Sequence, residues 1–206
     1  MAVVEVDDAL WAACSALSKR FGMPEPRAFL EWCLRRVVKF EEVADGRYVP
    51  VSCAIVTRNA SEILVVGNEY APGQPLYWNL PGGAADPGED LCHAVARELH
   101  EESGIQALEV GRLAWIVQAY NGPERPGFLS FAFEVSAWRG DITLEHEEKG
   151  GSVRRAEFVP YDQACQRLIA GNAVPLRDWL MAAADRPRIY WYDRRAVPAE
   201  PRRMIR

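Results

Sequence analysis

The sequence predicts an α+β domain, and two observations carry that prediction. Apolar residues recur at helical spacing up to about residue 46 and alternate strictly from Tyr48 onward. From that point strands and helices interleave, neither in regular β-α-β order nor segregated into halves. Composition agrees: 206 residues, 49% hydrophobic and 26% charged, is ordinary globular usage, long enough to bury a core without disulfide staples.

The elements follow in order. Leu10, Cys14, Leu17 and Phe21 form one helical stripe, and Phe29, Trp32, Cys33, Arg36, Val37 and Phe40 form a second. Pro24 and Pro26 separate them and Gly46 ends the second, which predicts a helical hairpin packed on the following domain or on a second copy of the chain. Val49, Val51, Cys53 and Ile55 alternate as a strand, and Glu62 to Val66 is a second strand after the Asn59-Ala60-Ser61 turn. A loop rich in proline and glycine runs to Gly88, and a helix is expected from about Glu89 to Ser103 with Gly104 closing it. Residues 108–120, 127–138 and 152–160 read as strands, 161–170 and 175–184 as helices, and 188–192 as a last strand. The organisation read from this pattern is a helical extension over 1–47, a core domain over 48–172, and a C-terminal helix with an arginine-rich tail over 173–206.

Several classes are excluded. Acidic residues outnumber basic ones, 29 to 24, for a net charge of −5, which argues against a general nucleic-acid coat. The five cysteines (14, 33, 53, 92 and 165) show no CxxC pair, so buried free thiols in a reducing compartment are expected rather than a zinc ribbon or disulfide framework. There is no long apolar run for a membrane span, and the N-terminus lacks the basic region of a signal peptide. A cytoplasmic protein is the expectation.

The helix over 89–103 carries the chemistry. With Glu98 at zero on a helical wheel, Leu91, Ala94, Val95 and Leu99 fall at roughly 20°, −40°, 60° and 100°, a stripe that must face the core. Glu101 and Glu102 fall at roughly −60° and 40°, so three carboxylates sit on or beside that face, at spacings where like charges repel. They also oppose the helix dipole near its C-terminus. Arg97 can neutralise one of them, and a hard divalent cation with oxygen ligands accounts better for the set. Pro81-Gly82-Gly83 precedes the helix, and its bare backbone can approach a ligand closely. Magnesium favours a few carboxylates together with substrate phosphates, so the combination suggests phosphate chemistry. No Walker pattern is present.

The run Gly83, five residues, Glu89, seven residues, Arg97-Glu98-Leu99-His100-Glu101-Glu102-Ser103-Gly104-Ile105 resembles the Nudix box at every specified position over 23 residues. The resemblance implies a Nudix-like α/β/α sandwich with a mixed sheet, here with the N-terminal helical extension added. It also implies metal-dependent hydrolysis of a nucleoside diphosphate linked to another moiety. By position it assigns Glu98, Glu101, Glu102 and the Gly83 carbonyl to a divalent metal, Mg²⁺ or Mn²⁺. Arg97 matches the residue that orients the carboxylates, and Glu89 its structural partner. A carboxylate accepts the proton of the attacking water. Glu101 and Glu102 are the box candidates, and Glu148, with its neighbours Glu145 and Glu147, is the candidate from a later loop.

For the substrate, Trp78 lies just before the glycine loop and is expected at the cleft mouth. Tyr120, with Tyr77, Trp115 and Phe128 as further aromatics, could stack on a base, and Arg58 or Arg125 could hold a phosphate. The last 21 residues hold seven arginines among Tyr190, Trp191 and Tyr192, a pattern that can grip RNA or a phosphate-rich ligand and can equally be a solvated tail or a dimer contact. The function expected is hydrolysis of a small phosphorylated molecule, with no membrane partner and a homodimer as an allowed assembly. The competing class is a non-catalytic Nudix-fold nucleotide sensor.

Overall fold

The computed structural model describes residues 48–70, 73–122, 126–147, 151–181, 187–195 and 202–204, together with Ala12, Ser15 and Ala16, which are helical. Apart from these three, the N-terminal hairpin lies outside the described residues, as do Arg125 and Glu148.

In chain order the elements are β1 (Tyr48–Ile55), β2 (Thr57–Arg58), β3 (Glu62–Asn68), β4 (Tyr77–Asn79), β5 (Gly82–Ala84), α1 (Leu91–Ser103), β6 (Gln106–Tyr120), β7 (Gly127–Arg139), β8 (Val153–Pro160), α2 (Tyr161–Arg167), α3 (Ala170–Met181), β9 (Arg188–Asp193) and β10 (Arg202–Arg203). A six-stranded sheet runs in the order β10-β9-β6-β7-β1-β5. It is mixed: β1 and β7 are parallel, as are β6 and β9, and the other pairs are antiparallel. In the second sheet β3 pairs with β8 along its length and with β2 and β4 at its two ends.

Period-2 alternation sorts the side chains. Ala54, Val56, Leu64, Phe133 and Ile189 join Val95 and Leu99 of α1 in one core cluster. Ile55, Ile63, Val65, Trp115 and Tyr190 join Ala164 of α2 and Leu176 of α3 in the other. Both clusters draw on both sheets, so the sheets form one layer between α1 on one side and α2 with α3 on the other. The expected α/β/α sandwich of the α+β class is observed.

The boundaries differ where capping or long-range pairing decides. Helix α1 starts at Leu91, because Asp90 is extended and its carboxylate accepts hydrogen bonds from the Cys92 and His93 N–H groups at 2.9 and 3.0 Å. Its end matches the expectation: Gly104 has φ 74° and donates its N–H to the His100 carbonyl. Helix α2 stops at Arg167, since Leu168 turns extended and bridges to Trp78. Helix α3 begins at Ala170, so Pro175 lies inside it rather than at its first turn, and the expected boundary at 172/173 falls within this helix. Beyond that boundary Leu176, Ile189 and Tyr190 are fully buried and β9 lies beside β6. Strand β6 carries a register shift between Leu113 and Trp115, which sends these residues to opposite faces of the layer despite their two-residue spacing. Cys53 and Cys165 are buried free thiols. Among the described residues no helix is long and apolar enough to cross a membrane.

Candidate active site

The glycine loop is fixed first. Strand β5 pairs antiparallel with β1, setting Gly82 opposite Cys53 and Gly83 opposite Ser52. The Ala54 N–H donates to the Pro81 carbonyl at 2.8 Å and the Ala85 N–H to the Pro50 carbonyl at 3.1 Å, so the loop is clamped at both ends. The approach is close: a Cβ on Gly82 would lie 2.1 Å from the Ser52 carbonyl oxygen.

Helix α1 then brings its acidic edge to this loop. Leu91, Ala94, Val95, Leu99 and Ser103 are buried, as the wheel requires. The carboxylates border that face, with the Glu98 side chain 15% exposed and Glu101 25%. Glu98 rests against Gly83, where a Cβ would sit 2.5 Å from its Oε1. Glu102 accepts the Gly82 N–H at 2.8 Å. Arg97 organises the rest. It donates from Nε and Nη2 to the two oxygens of Glu89, each at 2.9 Å, and from Nη1 to Glu98 and Glu101, again at 2.9 Å. Its Nη2 also reaches the Ala84 carbonyl at 3.1 Å. Glu89 is held in turn by the Asp86 N–H at 2.9 Å.

The electrostatics follow from this packing. Arg97 is held firmly protonated, above all by Glu89 and then by Glu98 and Glu101. Glu89 is held below its ordinary range, chiefly by Arg97. Glu102 is pushed up to about 8: burial is the largest cause, the Gly82 N–H pulls the other way, and Glu98, Glu147 and Glu101 add like charge. Among the described residues, no three His, Cys, Asp or Glu side chains are close enough to close on an ion as they stand. Arg97 takes up Glu98 and Glu101, and Gly82 takes up Glu102. The group nevertheless fits a hard divalent cation. Its donors are carboxylate oxygens, the Gly83 cradle exists only because a Cβ is missing, and the charge that opposes ionisation of Glu102 is what a cation relieves.

A cleft of about 430 Å³ opens from this corner, within the usual size of a small-molecule site. Gly82 and Glu102 are at its wall. Tyr70, Phe128 and Tyr192 supply aromatic faces, and Asn68, Asn79 and Asn172 supply amides. Asn68 is oriented by Ser152, whose hydroxyl donates to its Oδ1 at 2.7 Å.

The structure thus brings together Gly83, Arg97, Glu98, Glu101 and Glu102, with Glu89 behind them. The other expected residues are elsewhere. Trp78 packs against the α2–α3 core cluster beneath Arg167, off the cleft wall. Arg58 is paired with Glu62 at 2.9 Å and lies over the Phe158 ring. Tyr120 lies under the Arg195 guanidinium, outside the cleft wall. Trp115 is 1% exposed in the core, and Tyr77 is exposed beside Tyr70. Phe128 does reach the cleft. In the later loop, Glu147 contributes like charge at Glu102 and accepts the Val153 N–H at 3.1 Å. Tyr70, the three asparagines, Tyr192 and Arg194 escaped the sequence reading as cleft residues. Only the aromatic and basic C-terminal pattern pointed toward the last two.

Over 111 residues the chain is 30% identical to an RNA pyrophosphohydrolase of Bradyrhizobium diazoefficiens, covering 48% of this chain and 65% of that enzyme. It is 27% identical over 110 residues to an 8-oxo-dGTP diphosphatase of Proteus vulgaris, covering 53% of this chain and 92% of that enzyme. The match spans less than two thirds of the length of the RNA pyrophosphohydrolases. The crystal structure of a MutT protein from Bacillus halodurans superposes with a TM-score of 0.56 at 20% identity, covering 70% of this chain and 89% of that one. The NUDIX domain family matches residues 47–180, well over half of the sequence, and the chain belongs to that family.

Proposed function

We propose that the chain is a divalent-metal-dependent hydrolase that cleaves a phosphoanhydride bond in a nucleotide-type substrate. One observation carries the reading: Glu98 rests against Gly83 and Glu102 accepts the Gly82 N–H at the wall of a cleft with aromatic and amide faces, with Glu101 tied to Glu98 through Arg97. The two curated relatives, named RNA pyrophosphohydrolase and 8-oxo-dGTP diphosphatase, support the same bond class.

Glu98, Glu101, Glu102 and the Gly83 carbonyl would hold Mg²⁺ or Mn²⁺. Such an ion neutralises phosphate charge and acidifies a water. The protein groups do the rest. Arg97 locks the rotamers of Glu98 and Glu101 by pairing with both. Glu102 is the carboxylate proposed to take the proton from the attacking water as its oxygen bonds to phosphorus and the bridging P–O bond breaks. Glu101 and the loop glutamates, Glu147 and Glu148, are the other acceptors in reach of this reading. The aromatic walls exclude water and flank the base.

The test is a panel of nucleoside triphosphates, nucleoside diphosphate sugars, ADP-ribose, dinucleotides and capped RNA, incubated with Mg²⁺ and resolved by chromatography. The Glu101→Gln/Glu102→Gln variant runs in parallel. Cleavage of at least one member by the wild type, with loss of at least 100-fold in the variant, is expected. Tight nucleotide binding without any product would favour the sensor reading instead.

A further inference from the structure

Two of the chain's three histidines, His100 of α1 and His146 of the loop before β8, form a stacked pair with ring centroids 4.2 Å apart and planes inclined by 29°. His100 stands between Glu98 and Glu101 in the sequence, and its buried Nδ1 has no hydrogen-bond partner among the described residues. What it offers the loop is a ring face. His146 is otherwise exposed, so the stack is its tie to the helix.

The same loop is docked on the end of α1 a few residues earlier. The Thr143 N–H donates to the Ser103 carbonyl at 2.9 Å, and the Thr143 methyl carbon occupies the space beside Gly104, 2.4 Å from where a Cβ would lie. The Glu145 N–H donates to the Thr143 hydroxyl and the Glu147 N–H to the Leu144 carbonyl, each at 3.2 Å, so the backbone turns between Thr143 and Glu147. The Glu147 carboxylate then accepts the Val153 N–H at 3.1 Å, at the first residue of β8. This carboxylate adds like charge at Glu102, and repulsion drives an unrestrained loop acid outward to water. One amide bond is a weak restraint against that. The ring of the preceding residue, seated on α1, is a second fixed point, and a stacked ring orders a loop with only two torsions to freeze.

We infer that His146, stacked on His100, is a positioning residue that holds the Glu147 carboxylate at the glutamate edge of α1, and that through Glu147 it raises the affinity of that edge for a divalent cation. The second half rests on the metal-dependent reading; the first does not.

The test has two readouts, and neither needs turnover. Hydrogen exchange of the Val153 amide, followed by NMR in EDTA, reports the Glu147 contact without metal. His146→Ala should speed that exchange about fivefold or more, and His146→Phe, which keeps a ring and cannot titrate, should return it to within about twofold of wild type. Calorimetric titration with Mn²⁺ alone reports the consequence. Glu147→Gln should weaken binding about tenfold or more and His146→Ala about threefold or more. The His146→Ala/Glu147→Gln double variant should match Glu147→Gln within about twofold, because a holder has no effect once the group it holds is gone. His146 is exposed, so these changes leave the core intact, and thermal melting checks that each variant is folded. Unchanged Val153 exchange in His146→Ala, no recovery in His146→Phe, or losses that add in the double variant overturns the inference. A wild type that binds no Mn²⁺ while exchange follows the expected pattern supports the positioning of Glu147 and removes the metal-dependent reading instead.

Discussion

Alanine at the two adjacent loop glycines should separate the proposed metal corner from the fold. A Cβ on Gly83 would lie 2.5 Å from the Glu98 Oε1 and 2.6 Å from its Cδ, whereas ordinary contact begins near 3.4 Å. The carboxylate must therefore retreat by about 1 Å. It is the end of a flexible side chain, so Gly83→Ala should change stability by no more than about 1 kcal/mol. A displacement of about 1 Å at a reacting centre is worth on the order of 100-fold in rate. At Gly82 the obstacle is backbone: a Cβ would lie 2.1 Å from the Ser52 oxygen and 2.8 Å from the Cys53 Cα, at a φ of +154°. Crowding of about 1–3 kcal/mol and backbone strain of similar size put Gly82→Ala at about 2–6 kcal/mol of lost stability, with β5 pushed away from β1. Urea unfolding measures the first quantity and Mg²⁺ titration of turnover the second. If Gly83→Ala keeps its Mg²⁺ response and turnover within threefold, Glu98 does not work from the position described. Equal destabilisation by the two variants would show that the distinction between side-chain and backbone contact is mistaken.

Three further outcomes can be measured. The Glu102 carboxyl, ordinarily near 4.5, is raised to about 8, so between those values the folded protein holds a proton that the unfolded chain has lost. Stability in EDTA should therefore fall as pH rises from 5 to 8, by up to about 1.4 kcal/mol per unit. Glu102→Gln should flatten that slope, and an unchanged slope in urea unfolding would refute the cause given. Asp90→Ala removes the cap accepting from Cys92 and His93 and should lower stability by about 1 kcal/mol, read by thermal melting. Tyr190→Phe removes a hydroxyl that donates to Asp178 at 2.8 Å from a fully buried ring, and a loss of about 1–3 kcal/mol is expected. A melting temperature equal to wild type would show that β9 does not need this anchor on α3.

The meeting of α1's carboxylates with the glycine loop was legible because its information is local. Glu98, Glu101 and Glu102 are placed by helical periodicity, Gly104 by its place after the last turn, and Gly83 by a fixed interval before the helix. Only a few rotations about one axis separate those residues. Trp78 shows where such reading stops. It is two residues from Leu80-Pro81 in sequence, but the bridge to Leu168 and the pairing of β4 with β3 turn it into the α2–α3 cluster. Trp115 is taken inward by the register shift in β6, which no alternation pattern announces.

The sequence by itself determined the α+β class, read from the order of helical and alternating stretches along the chain, and the glutamate edge of α1 and the family, which depend on spacing between Gly83 and Ile105. Only the tertiary structure decided the cleft. Tyr70 follows β3, Phe128 is in β7, Asn172 in α3 and Tyr192 in β9. They meet because parallel pairing of β1 with β7 and of β6 with β9 joins segments far apart in the chain. The physical reason is that strand partners are chosen by burial of whole faces against one another, a competition settled by the complete set of elements and written in no single stretch of residues.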